Sequence, residues 1–163
     1  MKPFFAHSGS ATDPLDWQEL PEHLTNVAKS ASEKASRFGL SRSAHLAGLF
    51  HDLGKYDLAF QRKLAGEVNR VDHSTAGAVV LLDQAHGKDC IPVEMIAYAI
   101  LGHHAGLPDF DTSELSSLRR RQEGYNDYYR MIALTLEQQS AQRGFSYGKH
   151  PRRLTAGWLM ARP

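Results

Sequence analysis

The sequence predicts an all-α fold, a compact helical bundle, and three observations carry that expectation. Apolar residues recur at helical spacing in one segment after another, no stretch shows the sustained alternation of a half-buried strand, and glycine, proline, serine and aspartate punctuate the chain at helix-length intervals. With 163 residues, 42% of them hydrophobic, the chain suits a single domain spanning residues 1–163 with one sizeable core.

From residue 22 the positions Leu24, Val27, Ala28, Ala31, Ala35 and Phe38 share a helix face, with Pro21 suited to the first turn and Gly39 to the stop. Ser41 is placed to cap a second helix, in which Ala44, Ala47, Leu49 and Phe50 run into His51 and Asp52 before Gly54 marks the end. A short amphipathic piece, YDLAFQRKL, follows, then the loop AGEVNR. Asp72 is placed to cap a helix through Ala76, Val79, Val80 and Leu82, and Pro92 to open another, VEMIAYAILGHH, that reaches His103 and His104. Beyond a loop at 105–112, helices are expected near 113–122, over 125–141, and from about 151. The expected total is about six to eight helices. The start of the chain, with His7 beside Ser8, reads as a flexible stretch, and short β-ladders are left open.

Charge and composition remove several classes of function. Nineteen basic residues against 18 acidic ones leave a formal charge of +1, so any nucleic-acid contact must come from a local patch rather than a global field. A single cysteine, Cys90, excludes an intrachain disulfide or a cysteine-built zinc knuckle and suits a reducing compartment. No run approaches the roughly 18 apolar residues of a membrane span, so no membrane partner and a cytoplasmic location are expected. Nine histidines are the compositional oddity.

Their spacing gives them meaning. His51 and Asp52 are consecutive at a helix end, about 100° apart on the helix surface, and can straddle one point. His23 lies one turn before Val27, at the edge of a buried face; His73 sits ahead of an apolar stripe; His103 and His104 close another. Imidazole and carboxylate are the common ligands of borderline and harder divalent ions, and a carboxylate readily bridges two of them. Five histidines and one aspartate therefore suffice for two ions about 3.5–4 Å apart with Asp52 between them. That arrangement acidifies a water and stabilises charge on a phosphoryl group.

The motif HDLGK, preceded by a histidine on an earlier helix, resembles the HD superfamily of metal-dependent phosphohydrolases. AHS at 6–8, WQELPEHLTNVA at 17–28, AFQRKL at 59–64, DHSTAGA at 72–78 and GHHAGLPD at 102–109 narrow the resemblance to the HD nuclease domain of CRISPR-associated type I effector nuclease-helicases. The resemblance runs over residues 6–110 and is loose over the last fifty. It implies a divalent-metal deoxyribonuclease of single-stranded DNA, an endonuclease with exonuclease action left open, in CRISPR type I antiviral interference. Its partners would be a helicase domain or subunit and a guide-RNA surveillance complex. By the same resemblance His23, His51 and Asp52 hold one ion, and Asp52 with His73, His103 and His104 holds the second. One or two ions are implied, Mn, Ni, Co, Mg, Fe or Zn. Lys55 is expected either to meet the scissile phosphate or leaving group as a catalytic residue, or to be a helix-end cation favoured by the dipole.

The chain departs from the family where a late helix usually brings another aspartate to the first ion. The corresponding RRLTAGWLMARP, residues 152–163, has no acid. Either the chain stops before that aspartate, or has lost it, or Asp109 or Asp127 replaces it. Around the expected centre, His7 and His45 are candidates to support a ligand from behind, and Arg119, Arg120 and Arg121 are the best candidates for DNA phosphate contacts. Tyr125, Tyr128 and Tyr129 serve either base stacking or packing. Two alternatives stand beside the nuclease: an HD phosphohydrolase of a nucleotide or small phosphomonoester, and a catalytically weakened DNA- or protein-binding module.

Overall fold

A computed structural model describes residues 3–10, 14–67, 69–104, 106–110 and 117–124. It is mostly helical, as the periodicity predicts. Two short strands, β1 (Phe5–His7) and β2 (Gln18–Glu19), precede α1 (Leu20–Ala35), α2 (Ser41–Phe50), α3 (Leu58–Leu64), α4 (Thr75–Gln84), α5 (Cys90–Gly102) and α6 (Leu118–Gly124). Among the described residues no helix is long and apolar enough to cross a membrane.

Local signals mostly act where the residues put them. Pro21 lies in the first turn of α1, and Gly39, at φ 68°, ends the 3-10 turn Ser36–Phe38 that follows it. Asp72 works two residues ahead of the position expected for it. The helix starts at Thr75, and the Asp72 carboxylate accepts hydrogen bonds from the backbone N–H groups of Ser74 (3.0 Å) and Thr75 (3.3 Å) and from both hydroxyls. It thereby satisfies the donors that a helix start leaves open. Ser41 is the first residue of α2, and Leu40 at the cap position provides no side-chain bond. α5 begins at Cys90, two residues before Pro92. α6 starts at Leu118, and the helices expected over 125–141 and from 151, with the three tyrosines, lie outside the described residues.

The N-terminal stretch is the main correction. It is an antiparallel ribbon, Phe5 opposite Glu19 and His7 opposite Gln18, with an irregularity between the two pairs. Strands this short show no alternation, so long-range bonds reveal them where sequence does not. Ala6 is buried, Leu20 N–H donates to Phe4 O at 2.8 Å, and Gln61 of α3 brackets Phe5. The Gln61 side chain accepts from Phe5 N–H and donates to Phe5 O, both at 3.0 Å, filling the place of a neighbouring strand.

Two apolar clusters hold the bundle. One gathers Ala6, Leu20, Leu24, Leu53, Tyr56, Ala76 and Val80; the other gathers residues of α4 and α5, among them Leu81, Val93, Ile96 and Ile100, with Leu118 of α6. Phe50, the last residue of α2, packs against both. The chain passes directly from that shared anchor into His51 and Asp52, which ties the position of the polar pair to the whole core.

Candidate metal centre

Asp52 is 3% exposed and lies just before the 3-10 turn Leu53–Tyr56. The close approach of that turn to the segment before α4 shapes the centre. A Cβ on Gly54 would lie 2.4 Å from His73 O, and Gly54 N–H donates to the same carbonyl at 3.2 Å. Glycine at this position lets the Asp52 and His73 segments meet, which is a stronger reason for it than ending α2.

Four imidazoles surround the carboxylate. Oδ2 lies 3.1 Å from Nε2 of His23 and 3.1 Å from Nε2 of His51, while Oδ1 lies 3.5 Å from Nε2 of His73 and 3.5 Å from Nε2 of His103. His104 Nε2 lies 2.8 Å from His73 Nε2. All five histidines and the aspartate expected from the sequence thus come together. α1 supplies His23, the end of α2 His51, the approach to α4 His73, and the end of α5 the His103–His104 pair.

Ring orientation follows from the far nitrogens. His51 Nδ1 donates to Gly48 O at 2.8 Å, His103 Nδ1 to Ile100 O at 2.5 Å, and His23 Nδ1 to Gln18 Oε1 at 3.1 Å; His73 Nδ1 is 3.4 Å from Val71 O. A carbonyl only accepts, so Nδ1 carries a proton in the rings that bond one, and Nε2 is the nitrogen turned to the carboxylate. Potential ligand atoms therefore converge: His23 Nε2 is 3.3 Å from His51 Nε2, and the buried Asp52 Oδ1 faces Nε2 of His73 and of His103 at 3.5 Å. This donor set fits divalent ions. Nitrogen and oxygen ligands at about 2.0–2.2 Å from an ion stand roughly 3 Å apart, and backbone-held Nδ1 protons are the usual outer support of metal-bound imidazoles. His23, His51 and Oδ2 form one half of the set; His73, His103, His104 and Oδ1 form the other. The latter four residues have ligand atoms within 4.8 Å of one another.

The electrostatics agree. Burial alone would raise Asp52, but the adjacent His103, His51 and Lys55 side chains hold its carboxyl far below the usual carboxylate range. Burial lowers His73 to about 4 against the opposing pull of Asp52, and lowers His23 likewise. Burial lowers His104 too, helped by the neighbouring His103. His103 moves the other way: burial pulls it down, yet the Asp52 carboxylate beside it and its bond to Ile100 O carry it above the ordinary histidine value.

Lys55 sits inside the cluster, against Asp52. It is 4% exposed, its Nζ lies 2.8 Å from Asp52 Oδ2, and it donates to Ala6 O at 3.0 Å. Its charge is committed to the carboxylate and to β1. Of the two histidines considered as supports, His45 is exposed on α2 and belongs to neither ligand group, whereas His7 stands in a group with His23 and Asp52. Gln18 and Gln61, which orient His23 and β1, carry no signal in the sequence because their partners are backbone or side chains brought in by the fold.

Arg119, Arg120 and Arg121 form the first turns of α6, with Arg119 and Arg120 exposed. Arg121 is close enough to Asp72 to help hold that carboxyl below its usual range, behind the hydrogen bonds from Thr75. The basic run is therefore beside the segment that delivers His73. Asp109 is exposed and in neither ligand group, while Asp127 and residues 152–163 lie outside the described residues.

The sequence model of the HD domain matches residues 21–140. The chain belongs to the HD domain family. That match spans the α1 histidine, the His51–Asp52 pair and the later histidines, and it accords with metal-dependent hydrolase chemistry at this cluster. No curated protein matches the chain.

Proposed function

We propose that this HD domain is a divalent-metal-dependent phosphodiesterase that cuts single-stranded DNA. The observation that carries the reading is the single buried carboxylate with one oxygen facing each histidine group. Divalent ions held by these two groups supply Lewis-acid charge to a phosphoryl group and lower the pKa of water. The protein's own part is to keep Asp52 ionised, to keep the Nε2 lone pairs aimed inward, and to hold the ligands on rigid helix ends so that little reorganisation accompanies reaction.

The preference for a strand over a small phosphate ester rests on two supports. His7, His103 and His104 are exposed at the rim, which suits a polymer passing over the centre, and the arginines of α6 sit beside the His73 segment for backbone phosphates. The motifs of the sequence extend the proposal to CRISPR type I interference, with a helicase domain or subunit delivering the strand after a guide-RNA surveillance complex opens the target.

The test is degradation of circular single-stranded DNA after chelation and resupply of Mn2+, Ni2+ or Mg2+, beside Asp52→Ala. Cutting should require metal and fall by about 10³-fold or more in the variant, the rate equivalent of several kcal/mol of transition-state stabilisation. Hydrolysis of nucleotides or small phosphomonoesters with the circle left intact would overturn the substrate assignment.

A further inference from the structure

We infer that His7 is a direct metal ligand, completing the half of the centre built on Asp52 Oδ2. The inference rests on the metal-dependent reading above and adds a ligand to it. Ligand atoms of His7, His23 and Asp52 lie within 4.8 Å of one another, close to the roughly 4.4 Å that separates opposite ligands held at about 2.2 Å from one ion. The His7 ring stacks edge-on against His23 with centroids 4.9 Å apart.

The way β1 is held separates His7 from a surface histidine that happens to be near. Four contacts fix the residues just before it. Phe4 O accepts from Leu20 N–H, Gln61 brackets Phe5, Ala6 is buried, and Ala6 O accepts from the Lys55 ammonium, which itself touches Asp52. Gln61 Nε2 also donates to Lys55 O at 2.6 Å, so one side chain joins β1 to the turn that carries Lys55. On the facing strand, Gln18 pairs in register with His7 and orients His23 through Nδ1. The ribbon thus holds two groups of one ligand set, His7 directly and His23 through Gln18. Such support is what keeps a coordinating side chain within a few tenths of an ångström of its ion.

The test uses Co2+ as the probe, titrated into the metal-free full chain by calorimetry and by visible absorption, with wild type compared with His7→Phe, His7→Asp and His104→Ala. Wild type should bind two ions. His7→Phe keeps a ring against His23 but has no donor, and should weaken one site by more than 100-fold, beyond the ~10–100-fold that loss of an outer support costs. It should also change the Co2+ absorption bands, leave the other site alone, and add to the effect of His104→Ala. His7→Asp supplies an oxygen donor and should recover most of the affinity. Retention of both sites and of the spectrum in His7→Phe, or a loss of affinity that His7→Asp does not restore, would overturn the ligand assignment while leaving the metal centre standing. A wild-type chain that binds no Co2+ would instead overturn the metal-dependent reading itself.

Discussion

The two oxygens of Asp52 sit in unlike surroundings. Oδ2 already has an internal cation, Lys55 Nζ at 2.8 Å, in addition to His23 and His51. Oδ1 has none: it is buried, lacks a hydrogen-bond partner among the described residues, and faces His73 and His103 at 3.5 Å. A buried charge must be neutralised locally; Lys55 balances the single charge of the carboxylate from the Oδ2 side, which leaves Oδ1 as the oxygen open to an ion. An ion held near Oδ2 would share that oxygen with Lys55, with the ribbon residue His7 as a further donor to that half. The difference predicts unequal affinities, with the Oδ1 half the tighter.

The largest test of that comparison is Lys55→Met, which keeps the stem and removes the charge. Breaking a buried pair from one side costs about 3–5 kcal/mol, and the metal-free variant should lose stability of that order in denaturant unfolding. Added Co2+ should then restore more stability to the variant than to wild type, because binding to the folded state stabilises it by linkage. Equal stability of the two metal-free proteins would show that Lys55 does not balance Asp52.

A smaller effect, confined to the other half, is expected at Gly54. An added Cβ would meet His73 O at 2.4 Å, so Gly54→Ala must push the His73 segment away from Asp52. Overpacking of this kind costs about 1–3 kcal/mol, and binding at the Oδ1 half should weaken while binding at the Oδ2 half persists. A variant that loses both sites equally would break the separation of the halves.

How much of this was legible in the sequence depends on the range over which each signal acts. Helices were legible because their signals repeat every few residues, and the five histidines with Asp52 were legible because they lie at or near the ends of apolar stripes. Asp72 was legible as a cap, although its four bonds start the helix at Thr75. The β1–β2 ribbon was not, since three residues against two show no alternation, and Gln61, whose side chain bonds the Phe5 backbone, lies 56 positions away. His7 was consequently read as a support in a flexible stretch. Lys55 was read by its neighbours in HDLGK as either a phosphate-facing group or a helix-end cation, and its bond to the Ala6 carbonyl, 49 positions away, was beyond the reach of that local signal.

The smallest effect concerns pH and separates His73 from His103 within the Oδ1 half. Burial lowers His73 to about 4, well below its unfolded value of 6.5. Between those limits the unfolded chain binds a proton that the folded chain does not, so this residue's contribution to stability falls as pH falls. From pH 6.5 to 5.5 the loss amounts to about 1 kcal/mol. His103, raised above 6.5 by the adjacent Asp52 carboxylate and its bond to Ile100 O despite burial, has the opposite sign: its contribution is present below 6.5 and is lost as pH rises through its folded value. The net slope of the metal-free protein mixes the two, and comparison with His73→Gln isolates one. Metal-free thermal or denaturant unfolding at pH 6.5 and 5.5 should show the variant losing about 1 kcal/mol less than wild type over that interval. Identical slopes would mean that His73 takes up its proton in the folded chain as readily as in the unfolded one, and that its lone pair is not held toward Oδ1 in the way the geometry requires.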